Sequence, residues 1–135
     1  METLPIELRR RKYSSIPLPA KSTSLNTNDF AFAKRLIKDG KIKNDSGHWH
    51  QHNPDIADEN VFLKKHEMDE YANWHLGLDK SKGEDTKGRF KFPYGDFKTV
   101  HRDGLIAVKE RAAQQGYHAV EKAADELLHL LEQHA

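Results

Sequence analysis

Residues 89–131 read RFKFPYGDFKTVHRDGLIAVKERAAQQGYHAVEKAADELLHLL, and this stretch decides the fold. Arg89 to Tyr94 is a compact aromatic run, Arg-Phe-Lys-Phe-Pro-Tyr, that ends at Gly95. Asp96 is expected to open a helix, its carboxylate accepting from the backbone N–H of Lys98 or Thr99. Val100, Gly104, Leu105, Val108 and Ala112 then form one apolar stripe, in which Gly104 lets a neighbouring backbone come close. Gly116 closes the helix, with Tyr117 folding back on its last turn. From Ala119 to Leu131 a second amphipathic helix follows, with Val120, Ala123, Ala124, Leu127, Leu128, Leu130 and Leu131 as a broad apolar face. Two helices joined by so short a turn must pack antiparallel on each other.

Upstream the signals weaken. Asp79 to Gly88 is polar and glycine-containing and reads as an exposed loop. A helical stretch is expected within Asp58 to Leu76, because Met68, Tyr71, Ala72 and His75 share one helical face and Gly77 offers a terminus. Lys41-Ile42-Lys43 and His48-Trp49-His50 alternate around a four-residue polar loop, which suggests a hairpin with Ile42 and Trp49 inward. A helix from Asp29 to Lys38 has Asn28 or Asp29 as its cap, Phe30, Ala33, Leu36 and Ile37 as its buried side, and Asp39-Gly40 as its stop. Residues 1–27 hold Pro5, Pro17 and Pro19 and a serine-rich stretch, and read as an extended arm; the alternation of Leu4, Ile6 and Leu8 would suit a short strand. The expected fold class is therefore mainly α. A small helical domain over residues 28–135 carries a C-terminal antiparallel helical hairpin and a short β-hairpin near residues 41–50.

Composition narrows the function classes. A chain of 135 residues suits one domain with a single core. Without cysteine it has no disulfide, no thiolate zinc site and no cysteine nucleophile, which suits a reducing compartment. No apolar run approaches the roughly 20 residues of a membrane span, and the N-terminal residues lack the pattern of a signal peptide. A cytoplasmic protein with no membrane partner is the expectation. Net charge is near zero, yet residues 1–28 carry Arg9, Arg10, Arg11, Lys12 and Lys21 against only Glu2 and Glu7. Such a basic arm could be a solvated tail or touch phosphate or an acidic partner.

Several motifs touch chemistry. His48, His50 and His52 alternate, so on a strand they share one face at about 6.5–7 Å spacing, close enough to converge on a divalent ion with Asp45, Asp55 or His66 adding a ligand. The same alternation is explained equally well by Trp49 pointing inward and imidazoles facing water. Lys87 to Phe92 interleaves basic and aromatic residues as single-strand nucleic-acid platforms do, and half matches a longer RNA-binding signature. Against this, Phe90, Phe92 and Tyr94 are first of all core-forming area. His101-Arg102-Asp103 spells a kinase catalytic-loop tripeptide, but Val108 stands where that loop needs asparagine; His101 is instead expected beside Val100, with Arg102 and Asp103 outward. His66-Glu67 starts a zincin motif that reaches Glu70 in place of its second histidine. The calcium-loop pattern begun at Asp79 fails at Gly83 and Phe90. Tyr71, Trp74 and His75 could line a pocket with Trp49, or join the core.

Tyr71-Ala-Asn-Trp74-His-Leu-Gly77, Phe92-Pro-Tyr-Gly-Asp-Phe97, Val100-His-Arg102 and Glu110-Arg-Ala-Ala-Gln114 together resemble a family of small uncharacterised bacterial proteins, over about residues 70–133. The resemblance implies a bacterial or phage-derived cytoplasmic protein and no activity, so no site residue follows from it. The expected function is a non-enzymatic interaction module that binds a protein partner through the basic arm and the polar loop. One alternative is nucleic-acid binding through Arg9, Arg10, Arg11 and Lys12 with Arg89 and Lys91. A second is divalent-metal binding by His48, His50 and His52; otherwise no cofactor is expected.

Overall fold

A computed structural model describes residues 23–45, 49 and 53–135 of the chain. Helices dominate, and two small sheets lie among them. Strand β1 (Thr23–Leu25) leads into helix α1 (Thr27–Lys38), and β2 (Ile42–Lys43) follows. Helices α2 (Ile56–Lys65) and α3 (Met68–Ala72) precede β3 (His75–Asp79) and β4 (Phe90–Pro93). Strand β5 (Val100–His101) runs into α4 (Arg102–Gln115), and α5 (His118–His134) completes the described order. The expected wealth of helix and the C-terminal helix pair are present. Beyond the one short hairpin expected, the strands form an antiparallel sheet in the order β1-β3-β4 and a parallel pair β2-β5.

The α4–α5 hairpin forms as its residues dictate. Gly116 caps α4 in the left-handed region at φ 80, where a side chain would be strained. The N–H of Tyr117 then returns to the Ala112 carbonyl at 2.9 Å, satisfying one of the helix's orphan acceptors. Leu105, Val108 and Ala112 face Val120, Ala123, Ala124, Leu127 and Leu131, all buried. Gly104 is required by contact rather than by torsion, since a Cβ there would overlap the backbone of Tyr94.

The start of α4 differs from expectation. Asp96 does accept from the N–H of Lys98 and Thr99, at 3.0 and 2.6 Å. Those bonds close a tight turn outside the helix, which begins only at Arg102. Gly95 bridges back to Val100, so the chain must complete this turn and strand β5 first. The helix's own boundary residue, His101, makes no capping bond. Asp45 supplies it from a distant loop, accepting from Asp103 N–H at 3.1 Å.

Three further expectations are corrected. Helix α1 starts at Thr27 and is capped by Asn26, whose Oδ1 accepts from Asp29 N–H; Asn28 and Asp29 lie inside the helix. Asn26 wins the position because its Nδ2 also donates to the carbonyls of Ala72 and His75, each at 3.1 Å. The stretch from Asp58 to Leu76 is not one helix: two capping boxes, Asp55 with Asp58 and Glu67 with Glu70, open separate helices, and His75 and Leu76 belong to β3. Because β3 is the central strand, both of its faces are covered and the alternation that marks a strand is missing. Gly77 sits within it, where a Cβ would come 2.6 Å from the Phe92 ring. The described residues of the stretch 41–50 do not pair as a hairpin: Ile42 and Lys43 pair in parallel with Val100 and His101, and the Trp49 carbonyl accepts from Asn53 N–H at 2.8 Å in a helical pattern, while His48 and His50 lie outside the described residues. A parallel partner 58 residues away leaves no local trace.

The core gathers between the sheet, α1 and the hairpin. Helix α5 packs on α1, β1 and β3, while α4 packs on α5, β4 and β5. Ala33, Leu36 and Ile37 of α1 are buried as expected, with Phe30 at the margin. The aromatic run becomes β4, whose Phe92 is buried, together with the following Tyr94.

Candidate functional site

His101 is the chemical centre of the described chain. The β5–α4 junction buries its ring to 5% exposure and places one carboxylate on each nitrogen. Nδ1 lies 2.7 Å from Asp45 Oδ2, and Nε2 lies 3.0 Å from Asp96 Oδ2. Ionised carboxylates only accept, so each ring nitrogen stands where an N–H would be taken by one of them. Burial alone would raise Asp96, but hydrogen bonds from His101, Thr99 and Lys98 outweigh it and bring its carboxyl down to about 2. Asp45 is likewise lowered: burial opposes, while the Asp103 N–H and the His101 ring prevail. Such a ring has no free nitrogen with which to take a proton from a substrate, so it serves as a lock rather than a general base. The indole of Trp49 covers it, 5.2 Å between ring centroids.

Two grooves reach partners of this ring, one at Trp49 and one at Asp96. The first encloses about 440 Å³ between β4 and α4 and is lined by Trp49, Lys91, Arg111, Gln115 and Tyr117 among others. Neither Lys91 nor Arg111 meets a carboxylate among the described residues. The second, about 550 Å³, runs between α2 and the 96–98 turn, with Val61, Phe62, Lys65 and His66 facing Asp96, Phe97 and Lys98. Phe62 stacks on Phe97 at 4.5 Å and on His66 at 4.2 Å. Phe97 holds φ 68, a region a bulky L-residue rarely enters. Helix α2 buries none of its residues, and it leaves Ile56 70% and Val61 57% exposed.

Two further buried polar groups are structural. The Tyr94 hydroxyl lies 2.5 Å from Asp29 Oδ1 and 3.2 Å from the Asn73 carbonyl. Burial raises the Asp29 carboxyl well above the ordinary range, against the smaller opposing effect of its Tyr94 bond. A protonated Asp29 gives a consistent chain, its O–H donating to Tyr94 and the Tyr94 O–H donating to Asn73. Its second oxygen, buried without a partner, is then a neutral carbonyl rather than half of an anion. His75 is also neutral: burial lowers it to about 4, and its Nδ1 sits 2.9 Å from the Tyr71 carbonyl.

Of the residues expected to carry function, Arg9, Arg10, Arg11, Lys12, His48, His50 and His52 lie outside the described residues. Among the described residues no three His, Asp or Glu side chains are grouped to hold a metal ion. Arg89 spends a guanidinium N–H on the Lys82 carbonyl at 2.8 Å, stapling the 82–89 loop, whereas Lys91 faces the first groove. Tyr71, Trp74 and His75 join the buried interior, away from Trp49. Asp103 is buried rather than outward, and Arg102 reaches across to Glu132 on α5 at 3.3 Å. Asp45 and Asp96 were not expected beside His101. Asp45 stands 56 residues from it, in an Asn-Asp-Ser-Gly stretch that locally signals only a turn. No helix among the described residues is long and apolar enough to cross a membrane. Comparison with known protein families, characterised proteins and solved structures finds no match to this chain.

Proposed function

We propose that this chain is a non-enzymatic interaction module whose protein-binding face is α2 and the groove beside it. One observation carries the proposal: the two large hydrophobic side chains most exposed among the described residues, Ile56 and Val61, both lie on the helix that buries nothing of its own. A short helix in water is marginal without tertiary packing, so a helix this loosely seated gains most from a partner that covers it. Phe62 of this helix, stacked on Phe97, gives the groove an apolar floor, and Lys65, His66 and Lys98 supply a polar rim, the usual anatomy of a contact patch. The saturated His101 ring supports a binding role over catalysis.

The test compares wild-type protein with the Val61→Asp variant in capture from the source cell, identifying both protein and nucleic acid retained. Thermal melts of the two should nearly agree, because Val61 is more than half exposed. The expected outcome is a protein enriched by wild type and lost by the variant. An identical captured set from both would sink the proposal.

A further inference from the structure

The groove between β4 and α4 differs in its chemistry from the one beside α2. We infer that it binds a nucleoside phosphate. Two cations from separate elements line it, Lys91 on the strand and Arg111 on the helix, and no carboxylate among the described residues neutralises either. Two cations against one lining carboxylate, Asp79, leave this concave site net basic among the described residues, which favours anions there, and the planar guanidinium of Arg111 suits a phosphate in particular. The nearby end of α4 does little to oppose this, since the carbonyls of Ala112 and Ala113 are already taken by the N–H groups of Tyr117 and Gly116.

The remaining lining fits the other half of such a ligand. Trp49 is held against the His101 ring and also lines the groove, so it offers an aromatic surface backed by a buried ring. Base–aromatic stacking of this kind tolerates any base. Side-chain amides of Asn53 and Gln115 reach the same groove and supply both donors and acceptors for a ring edge. A volume of about 440 Å³ falls within the range of small-ligand sites, about 300–1,000 Å³. Asp79, the acidic residue of the lining, is turned into its own loop, where Oδ1 accepts from the Ser81 N–H and hydroxyl at 3.0 and 2.6 Å.

The same chemistry could come from a free nucleotide or from one unit of a single strand, and the experiment separates them. The full chain is titrated at low salt with the four nucleoside 5′-monophosphates, the corresponding nucleosides, inorganic phosphate and an eight-residue oligothymidylate, following tryptophan fluorescence and heat. A saturable change with the monophosphates is expected, with nucleoside or phosphate alone at least about tenfold weaker. Arg111→Ala and Lys91→Met should each weaken binding by about fivefold or more, with melting unchanged. Trp49→Phe should remove the fluorescence signal, leaving only the buried Trp74. Tighter binding of the oligonucleotide than of thymidine monophosphate assigns the site to single strands; equal or weaker binding assigns it to free nucleotides. Absence of saturation in the millimolar range, binding of phosphate alone as tight as of nucleotide, or affinity unaltered in both charge variants would overturn the inference.

Discussion

Asp29 is where one residue's environment most opposes its chemistry. A carboxyl buried beside Tyr94, with one oxygen unpartnered, keeps its proton when folded and gives it up when unfolded. Its folded value lies above its unfolded value, so the full benefit is present below about pH 3.9 and erodes as pH rises toward the folded value. Asp29→Asn preserves the shape and the donor to Tyr94 without that liability. The variant should match wild type near pH 4 and exceed it at pH 7 by about 1 kcal/mol or more, read from urea midpoints at the two pH values. A variant equally destabilised at both would show that Tyr94 needs an ionised partner.

Among elements, α4 shows how a helix can be started from outside itself. Asp45 caps it through the Asp103 N–H with one oxygen and holds His101 with the other. Asp45→Ala removes both and should cost about 2–4 kcal/mol, while Asp45→Asn keeps the capping acceptor and should cost clearly less. Chemical denaturation of the pair checks this, and equal losses would mean that the cap is unimportant. The same helix explains what could be foreseen and what could not. Gly116 and the apolar stripe over Leu105, Val108 and Ala112 are local signals, governed by torsion and period, and they placed the hairpin correctly. The start of α4, the β2-β5 pairing and the capping of α1 by Asn26 are set by partners 46 to 58 residues away, which no window of sequence contains. For the same reason the groove cation Lys91 was expected within a basic–aromatic run, whereas Arg111 on the helix and the carboxylates around His101 were not. Strand β3 failed for another reason, since its burial on both faces leaves no period of two to detect.

For the whole molecule, His75 opposes Asp29 in mild acid. It sits in the central strand, next to the turn that Asn26 clamps. Burial lowers it from 6.5 to about 4. Its contribution is therefore complete above about pH 6.5 and is lost as pH falls toward 4, by on the order of 3 kcal/mol. Asp45 and Asp96, also lowered, hold their contribution down to the ordinary carboxylate range and lose it only below that. Asp29 acts in the opposite sense over this interval, so the test is made in the Asp29→Asn background: melting temperature should fall there between pH 6.5 and 4, and adding His75→Asn, which retains a donor to Tyr71, should flatten that fall. A melting temperature level across the interval in the Asp29→Asn background would contradict the assignment. One feature of the architecture also bears on how the chain is made. Helix α5 covers α1, β1 and β3, elements built from residues 23–79, and is itself synthesised only after α4. During translation the early apolar surfaces of Ala33, Ile37 and Leu76 therefore wait uncovered until residues 118–134 have emerged, so the ribosome-bound intermediate is the form of this protein most in need of a chaperone.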